Sequence, residues 1–182
     1  MSEPSAEDRA EALLRLFARP NGPLESGLLA PGRVRAVDAA EVSEPARTLL
    51  DHDRHMTDAQ ERFHGGPVEL RVLGVVSDGP NYAREILLSR SNGRIVQYGI
   101  VRIDMAVIDT ATAASIRRAD TPLGRILAEA GMLCAVGGVQ LVEFVPGPRL
   151  ADHLGPQPRF GRVADIRVAG VPAVELLEVV IT

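Results

Sequence analysis

The segment Tyr82-Ala83-Arg84-Glu85-Ile86-Leu87-Leu88-Ser89, followed by Ser91-Asn92-Gly93-Arg94 and then by Ile95 to Val107, decides the fold class. Branched aliphatic side chains crowd both arms at strand length. The central Asn-Gly tolerates the positive φ of a type I′ turn, whose twist suits two antiparallel strands. The arms are therefore expected to pair as a hairpin. Working outward, Val68 to Val76 reads as a strand before it. Val139 to Val145, Arg162 to Val168 and Ala173 to Ile181 read as strands after it, the last two joined at Gly170-Val171-Pro172. Thr110 to Arg118 and Pro122 to Ala130 read as short helices between the third and fourth strands. There is no regular βαβ alternation. The expectation is an α+β fold with a six-stranded antiparallel sheet, and helices at the N-terminus and between strands three and four.

Before the first strand, Ser5 to Ala18 has a helical pattern, with Leu13, Leu14, Leu16 and Phe17 near one side and Pro20-Asn21-Gly22-Pro23 as its stop. Leu24 to Val42 is punctuated by Gly and Pro and carries no clear periodicity. Ser43 reads as an N-cap with Pro45 in the first turn, and the helix runs through Ala46, Leu49 and Leu50 to about Asp53. A break near Met56-Thr57, a further turn from Gln60 to Phe63 and a stop at Gly65-Gly66-Pro67 follow. Pro146 to Arg159 reads as a loop. Residues 1–182 are expected to form one domain, with residues 1–40 as an N-terminal helical extension.

Composition narrows the function. The chain of 182 residues is 46% hydrophobic but 3% aromatic and has no Trp, so its core must come from Val, Leu, Ile and Ala. A net charge of −4 and no Lys/Arg block argue against nucleic acid as a partner. Met1 to Arg9 is polar with no apolar signal core behind it, and no run approaches the roughly 20 apolar residues of a membrane span. A cytoplasmic protein with no membrane contact is expected. The single Cys134 excludes an intrachain disulfide and a Cys-rich metal site, and reads as a small buried residue. His52 and His55 stand i, i+3 in a helical stretch without a third ligand, so a surface role is expected and no metal. Gly-x-Gly-x-x-Gly, Gly-Lys-Ser/Thr and Gly-x-Ser-x-Gly patterns are absent, and no cofactor is expected.

Two charged residues interrupt apolar strands. Arg84 shares its parity with Ile86 and Leu88, so a regular strand points it to an apolar face, while Glu85 and Leu87 point the other way. A core-facing charge needs a partner, either a ligand carboxylate or a structural ion pair. Glu178 shares its parity with Leu176 and Val180, and a lone acid there would have a raised pKa suited to giving a proton or hydrogen bond. Glu175, of the other parity, and Glu143, between Val142 and Phe144, compete for that role.

Five segments, in order, resemble the chorismate pyruvate-lyases, or 4-hydroxybenzoate synthases. They are Leu49-Leu50 with His55-Met56-Thr57 and Glu61-Arg62-Phe63; Tyr82 to Leu88; Gly99 in the returning strand; Thr121-Pro122-Leu123-Gly124-Arg125-Ile126-Leu127; and Gly161-Arg162 with Gly170-Val171-Pro172 and Glu178. The resemblance covers roughly Leu49 to Thr182. It implies a cofactor-free carbon–oxygen lyase that cleaves the enolpyruvyl ether of chorismate to 4-hydroxybenzoate and pyruvate. It assigns Arg84 to the substrate carboxylate and Glu178 to the hydroxyl end of the ring. Met56, Thr57, Gly99 and Leu123 are implied to cover or approach the substrate, with ordinary core packing as the alternative for Met56 and Leu123. In the family the acid follows a Thr five residues after the Pro; here Glu178 follows Leu177 six residues after Pro172, so a one-residue shift or Glu175 must account for it. Two other readings stay open: a diverged enzyme acting on a related acid in a secondary-metabolite pathway, and a non-catalytic aromatic-acid sensor like the effector-binding domains of some bacterial regulators. Oligomeric state is not legible.

Overall fold

Ser5 and Asp8 cap each other's backbone at the start of the first helix, and from there the computed structural model describes residues 4–18, 24 and 27–182. The elements in chain order are α1 (Ala6–Arg15), β1 (Gly32–Ala36), a 3-10 turn (Ala39–Glu41), α2 (Ala46–Leu50), α3 (Met56–His64), β2 (Val68–Asp78), β3 (Asn81–Arg90) and β4 (Ile95–Asp104). They continue with α4 (Thr110–Arg118), α5 (Leu123–Glu129), β5 (Cys134–Pro146), α6 (Pro148–Leu154), β6 (Arg159–Val168) and β7 (Val171–Val180). The strands form one antiparallel sheet in the order β1-β5-β6-β7-β4-β3-β2. The α+β class holds, but the sheet has seven strands rather than six.

The extra strand is β1, so residues 1–40 are not a purely helical extension. β1 is five residues long, and Val34 alone carries an apolar inward side chain between exposed Arg33 and Arg35. That is too little alternation to announce a strand; its pairing with β5 makes it one. The expected loop after β5 contains α6, which Pro148 opens and Gly155 closes. The second helix begins later than expected: Pro45 is the N-cap rather than a first-turn residue. Likewise α5, expected from Pro122, begins at Leu123 with Pro122 as its N-cap. The expected stop at Pro20 to Pro23 lies outside the described residues, as do Met1 to Glu3; α1 ends at Arg15, capped by Leu16.

The β3–β4 hairpin forms as expected, with a different turn. Gly93 N–H donates to Arg90 O at 2.8 Å and Arg90 N–H to Arg94 O at 2.9 Å. Gly93 alone of the turn residues has positive φ, at 80°, so Asn92 does not adopt the type I′ geometry. A three-residue loop with glycine in the left-handed position joins twisted strands equally well.

Helices cover both faces of the sheet. α1 and α6 pack on Leu87, Tyr98, Ile100, Val163, Leu177 and Val179. On the other face α4 and α5 pack on Val101, Ile103, Ala164, Ile166 and Leu176, and α2 and α3 pack on Leu141 and Val180. This explains why β3 reads as a near-continuous apolar run: Tyr82 to Leu88 is buried on both parities. Among the described residues no helix is long and apolar enough to cross a membrane.

Candidate functional site

Register places the polar residues of the second face. Arg84 on β3 stands opposite Val101 on β4, which stands opposite Leu176 on β7. The next row runs Ile86, Gly99, Glu178 and Arg162 across β3, β4, β7 and β6. One residue of β7, Ala173, bulges out: Pro172 pairs with Arg167 while Val174 pairs with Ile166. This bulge is the one-residue shift that the spacing of Pro172 and Glu178 required. It turns Glu178 to the cavity face and sends Glu175 to the opposite one, where Glu175 pairs with Arg102 in half-exposed surroundings. Glu143 faces Arg35 at 3.5 Å near the β1 edge and does not line the cavity.

The cavity lies between this face and a roof made by the starts of α3 and α5. Ile86, Leu88, Val101, Val136, Ile166 and Leu176 form apolar walls; Arg84, Gln97, Arg162 and Glu178 supply polar groups. His55-Met56-Thr57 and Pro122-Leu123-Gly124 form the roof. A side chain on Gly124 would place its Cβ 3.2 Å from His55 Cβ and 3.3 Å from Thr57 Oγ1, so glycine lets the two roof segments touch. An Arg125–Glu61 ion pair clasps α5 to α3. The enclosed space is about 40 Å³. Gly99 lies in the sheet between Ile86 and Glu178, which line the cavity, and is not itself among the lining residues. A Cβ there would meet Leu177 O at 3.3 Å and Ile86 Cγ1 at 3.5 Å.

Arg84 is fully buried, and its Nη2 donates to Thr121 O at 3.0 Å. Its Nε and Nη1 have no hydrogen-bond partner among the described residues. Burial draws the guanidinium below the usual arginine range, with Tyr82 and Asp120 opposing the shift. Arginine keeps its charge at neutral pH nonetheless. Here is a buried cation with two free donors and an apolar wall beside it.

Glu178 is not the lone acid expected. Arg162, also fully buried, donates Nε to Glu178 Oε2 at 2.8 Å. The rest of Arg162 is consumed by the end of α2 and the segment after it: Nη1 donates to His52 O at 2.6 Å and Leu50 O at 3.3 Å, and Nη2 to Arg54 O at 2.9 Å. The sequence contained Arg162 in a matched segment, but its pairing with Glu178 depends on the β7 bulge. The histidines also depart from expectation. His52 lies beyond α2 against Arg162, with Nδ1 3.2 Å from Nη1, and His55 is the N-cap of α3 and lines the cavity. Burial, first, holds both below the ordinary histidine value of 6.5. Among the described residues no group of three or more His, Cys, Asp or Glu could hold a metal ion.

Behind the cavity floor, on the other face, Glu85 is also buried. Arg149 of α6 grips both its oxygens at 2.6 and 2.7 Å, and Tyr98 Oη donates to it at 2.6 Å. Adjacent β3 residues thus carry opposite charges on opposite faces, one fully partnered and one not.

No family model and no curated protein sequence matches the chain. Solved structures do. The effector domain of PhnF from Mycobacterium smegmatis is similar at 13% identity and TM-score 0.53, over 70% of this chain and 88% of that one. PhnF from the same organism is similar at 14% identity and TM-score 0.53, over 68% of this chain and 62% of that one. A GntR-family transcriptional regulator from Bacillus cereus is similar at 12% identity with a TM-score of 0.45, over 63% of this chain and 91% of that one. The chain therefore spans less than two thirds of PhnF and most of its effector domain. These likenesses carry the chorismate lyase-like α+β fold. They correct the expectation of a chorismate lyase: the two similar structures named above with a TM-score over 0.5 are an effector domain and the protein containing it, and neither supplies a catalytic assignment.

Proposed function

We propose that this domain is a non-catalytic binding module for a small aromatic carboxylic acid, held by its carboxylate on Arg84. One observation carries the reading. Arg84 is buried in an apolar cavity with Nε and Nη1 unpartnered. A buried cation with free donors is costly, and a planar carboxylate relieves the cost by taking two charge-assisted hydrogen bonds at once. The aliphatic walls and the Met56 and Leu123 side chains suit the ring, while Thr57 sits at the roof and Gly99 lies between the lining residues Ile86 and Glu178. The likeness to an effector domain supports a sensing role over turnover.

The enclosed 40 Å³ is smaller than the roughly 150 Å³ cavity that admits a benzene ring. Binding a ring therefore requires the His55–Thr57 and Pro122–Gly124 segments to part, and such a movement is the means by which occupancy would be signalled. Calorimetric titration with benzoate, 4-hydroxybenzoate and chorismate tests the reading. The expected result is saturable one-to-one binding of aromatic acids recovered chemically unchanged, and loss of at least about 100-fold in affinity in Arg84→Ala, the scale of a lost charged hydrogen-bonded pair. Absence of binding, or conversion of the bound acid, overturns it.

A further inference from the structure

β2 ends the sheet on one side, with no strand beyond it among the described residues. Hydrogen bonds at the hairpin fix which of its backbone groups are free. Arg90 turns its N–H and C=O toward Arg94 and Gly93, in the direction of β4. Its β2 partner Val68 must therefore turn its own N–H and C=O away from β3, and Val68 N–H donates to Glu61 Oε1 at 3.2 Å. Antiparallel pairing alternates, so Leu70 and Val72 also present both backbone groups outward. Their side chains are half-buried against Ile86 and Leu88. Glu69 and Arg71 alternate with them, exposed, and neither forms an ion pair among the described residues. Pro67 on one side and the irregularity after Val72 on the other limit the regular edge to residues 68–72.

An edge with outward donors and acceptors is a template for another strand, and the order of charges along it selects which one. Set antiparallel to itself about Leu70, the segment places Glu69 opposite the partner's Arg71, and Arg71 opposite the partner's Glu69. Leu70 then exchanges both backbone hydrogen bonds with the partner's Leu70, and Val72 N–H reaches the carbonyl of the partner's Val68. Val68 N–H, held by Glu61, needs nothing. The charged pairs fall at non-hydrogen-bonded positions, where opposed Cα atoms approach to about 4.5 Å and side chains lie closer together. Moving the axis to Glu69 or to Arg71 sets a like charge against itself. An axis midway between two residues sets outward backbone groups against inward ones. The surviving register has two-fold symmetry, so the strand that fits this edge is that of a second copy of the chain.

We propose that β2 is a self-association edge: two copies join into one continuous sheet, paired antiparallel about Leu70 and selected by the crossed Glu69–Arg71 pairs. This pairing does not depend on what Arg84 binds. The matched stretch is short, so the dimer is expected to form at micromolar concentration rather than to be permanent. Sedimentation equilibrium of the full chain tests it, with the wild type compared against Glu69→Arg, Arg71→Glu and the double exchange. The wild type is expected to approach twice 19.5 kDa as concentration rises through the micromolar range. Each single reversal sets like charges opposite one another and weakens dimerisation at least about tenfold, and the double exchange restores it. An equimolar mixture of the two single variants forms the dimer that neither forms alone. Both side chains are exposed, so every variant keeps the wild-type circular dichroism spectrum. A wild type that stays monomeric overturns the proposal, whether its edge stays open or takes up a strand of another protein. So does a dimer indifferent to the single reversals, or one that neither the double exchange nor the mixture restores.

Discussion

Arg84 and Arg162 are both fully buried on the same face of the sheet, yet their donors are used differently. Arg162 is held by Glu178 and by backbone carbonyls of the segment after α2. Arg84 gives one bond to Thr121 and keeps two donors free. Their substitutions should separate accordingly. Arg84→Met, which replaces an unpaired buried charge with an apolar chain of similar length, is expected to raise the melting temperature of the unliganded protein by about 2–4 °C while abolishing acid binding. Glu178→Ala strands Arg162 without its counter-ion and is expected to cost about 3–5 kcal/mol in denaturant unfolding. Glu175→Ala removes a half-exposed pair and should cost less than about 1 kcal/mol, leaving ligand affinity unchanged. Arg84 was legible because strand parity singled it out. The pairing of Arg162 with Glu178 was not, because both the partner strand and the extra residue at Ala173 enter only with the sheet register.

At the scale of elements, the roof is two helix starts held together by Gly124 against His55 and by the Arg125–Glu61 pair. Glu61 also accepts from Val68 N–H at 3.2 Å, tying α3 to the start of β2. Glu61→Ala is expected to raise amide hydrogen exchange in α3 and α5 and to speed ligand association and dissociation severalfold, the effect of losing a partly buried ion pair of about 0.5–1 kcal/mol. Stopped-flow binding and exchange mass spectrometry measure the two effects. Unchanged rates would show that the roof parts elsewhere. The roof segments were recognisable in the sequence only as matched motifs. The loop expected from Pro146 to Arg159 shows the reverse case. Its Pro and Gly were read as breakers, whereas Pro148 and Gly155 bound a short helix whose Arg149 reaches Glu85.

The molecule as a whole places two half-buried histidines against a cationic wall. Burial is the main cause holding His52 and His55 below 6.5, with Arg162 pushing the same way on both and Glu178 opposing. Their unfolded counterparts protonate near 6.5, so the unfolded state takes up protons first as pH falls. The neutral-histidine contribution to stability is complete above pH 6.5 and declines below it. Melting temperature is expected to drop between pH 7.5 and 5.5, and the drop to shrink in a His52→Gln, His55→Ser variant. An equal drop in that variant would assign it to other groups.

The chain's own residue order determined the α+β class, six of seven strands, the β3–β4 hairpin and the inward face of Arg84. Each follows from the local period of apolar side chains and from turn residues. Tertiary structure alone decided the rest. β1 becomes a strand because β5 pairs with it, Glu178 rather than Glu175 faces the cavity because one residue of β7 bulges, and Arg162 rather than solvent meets Glu178. These are long-range contacts whose register no local window contains.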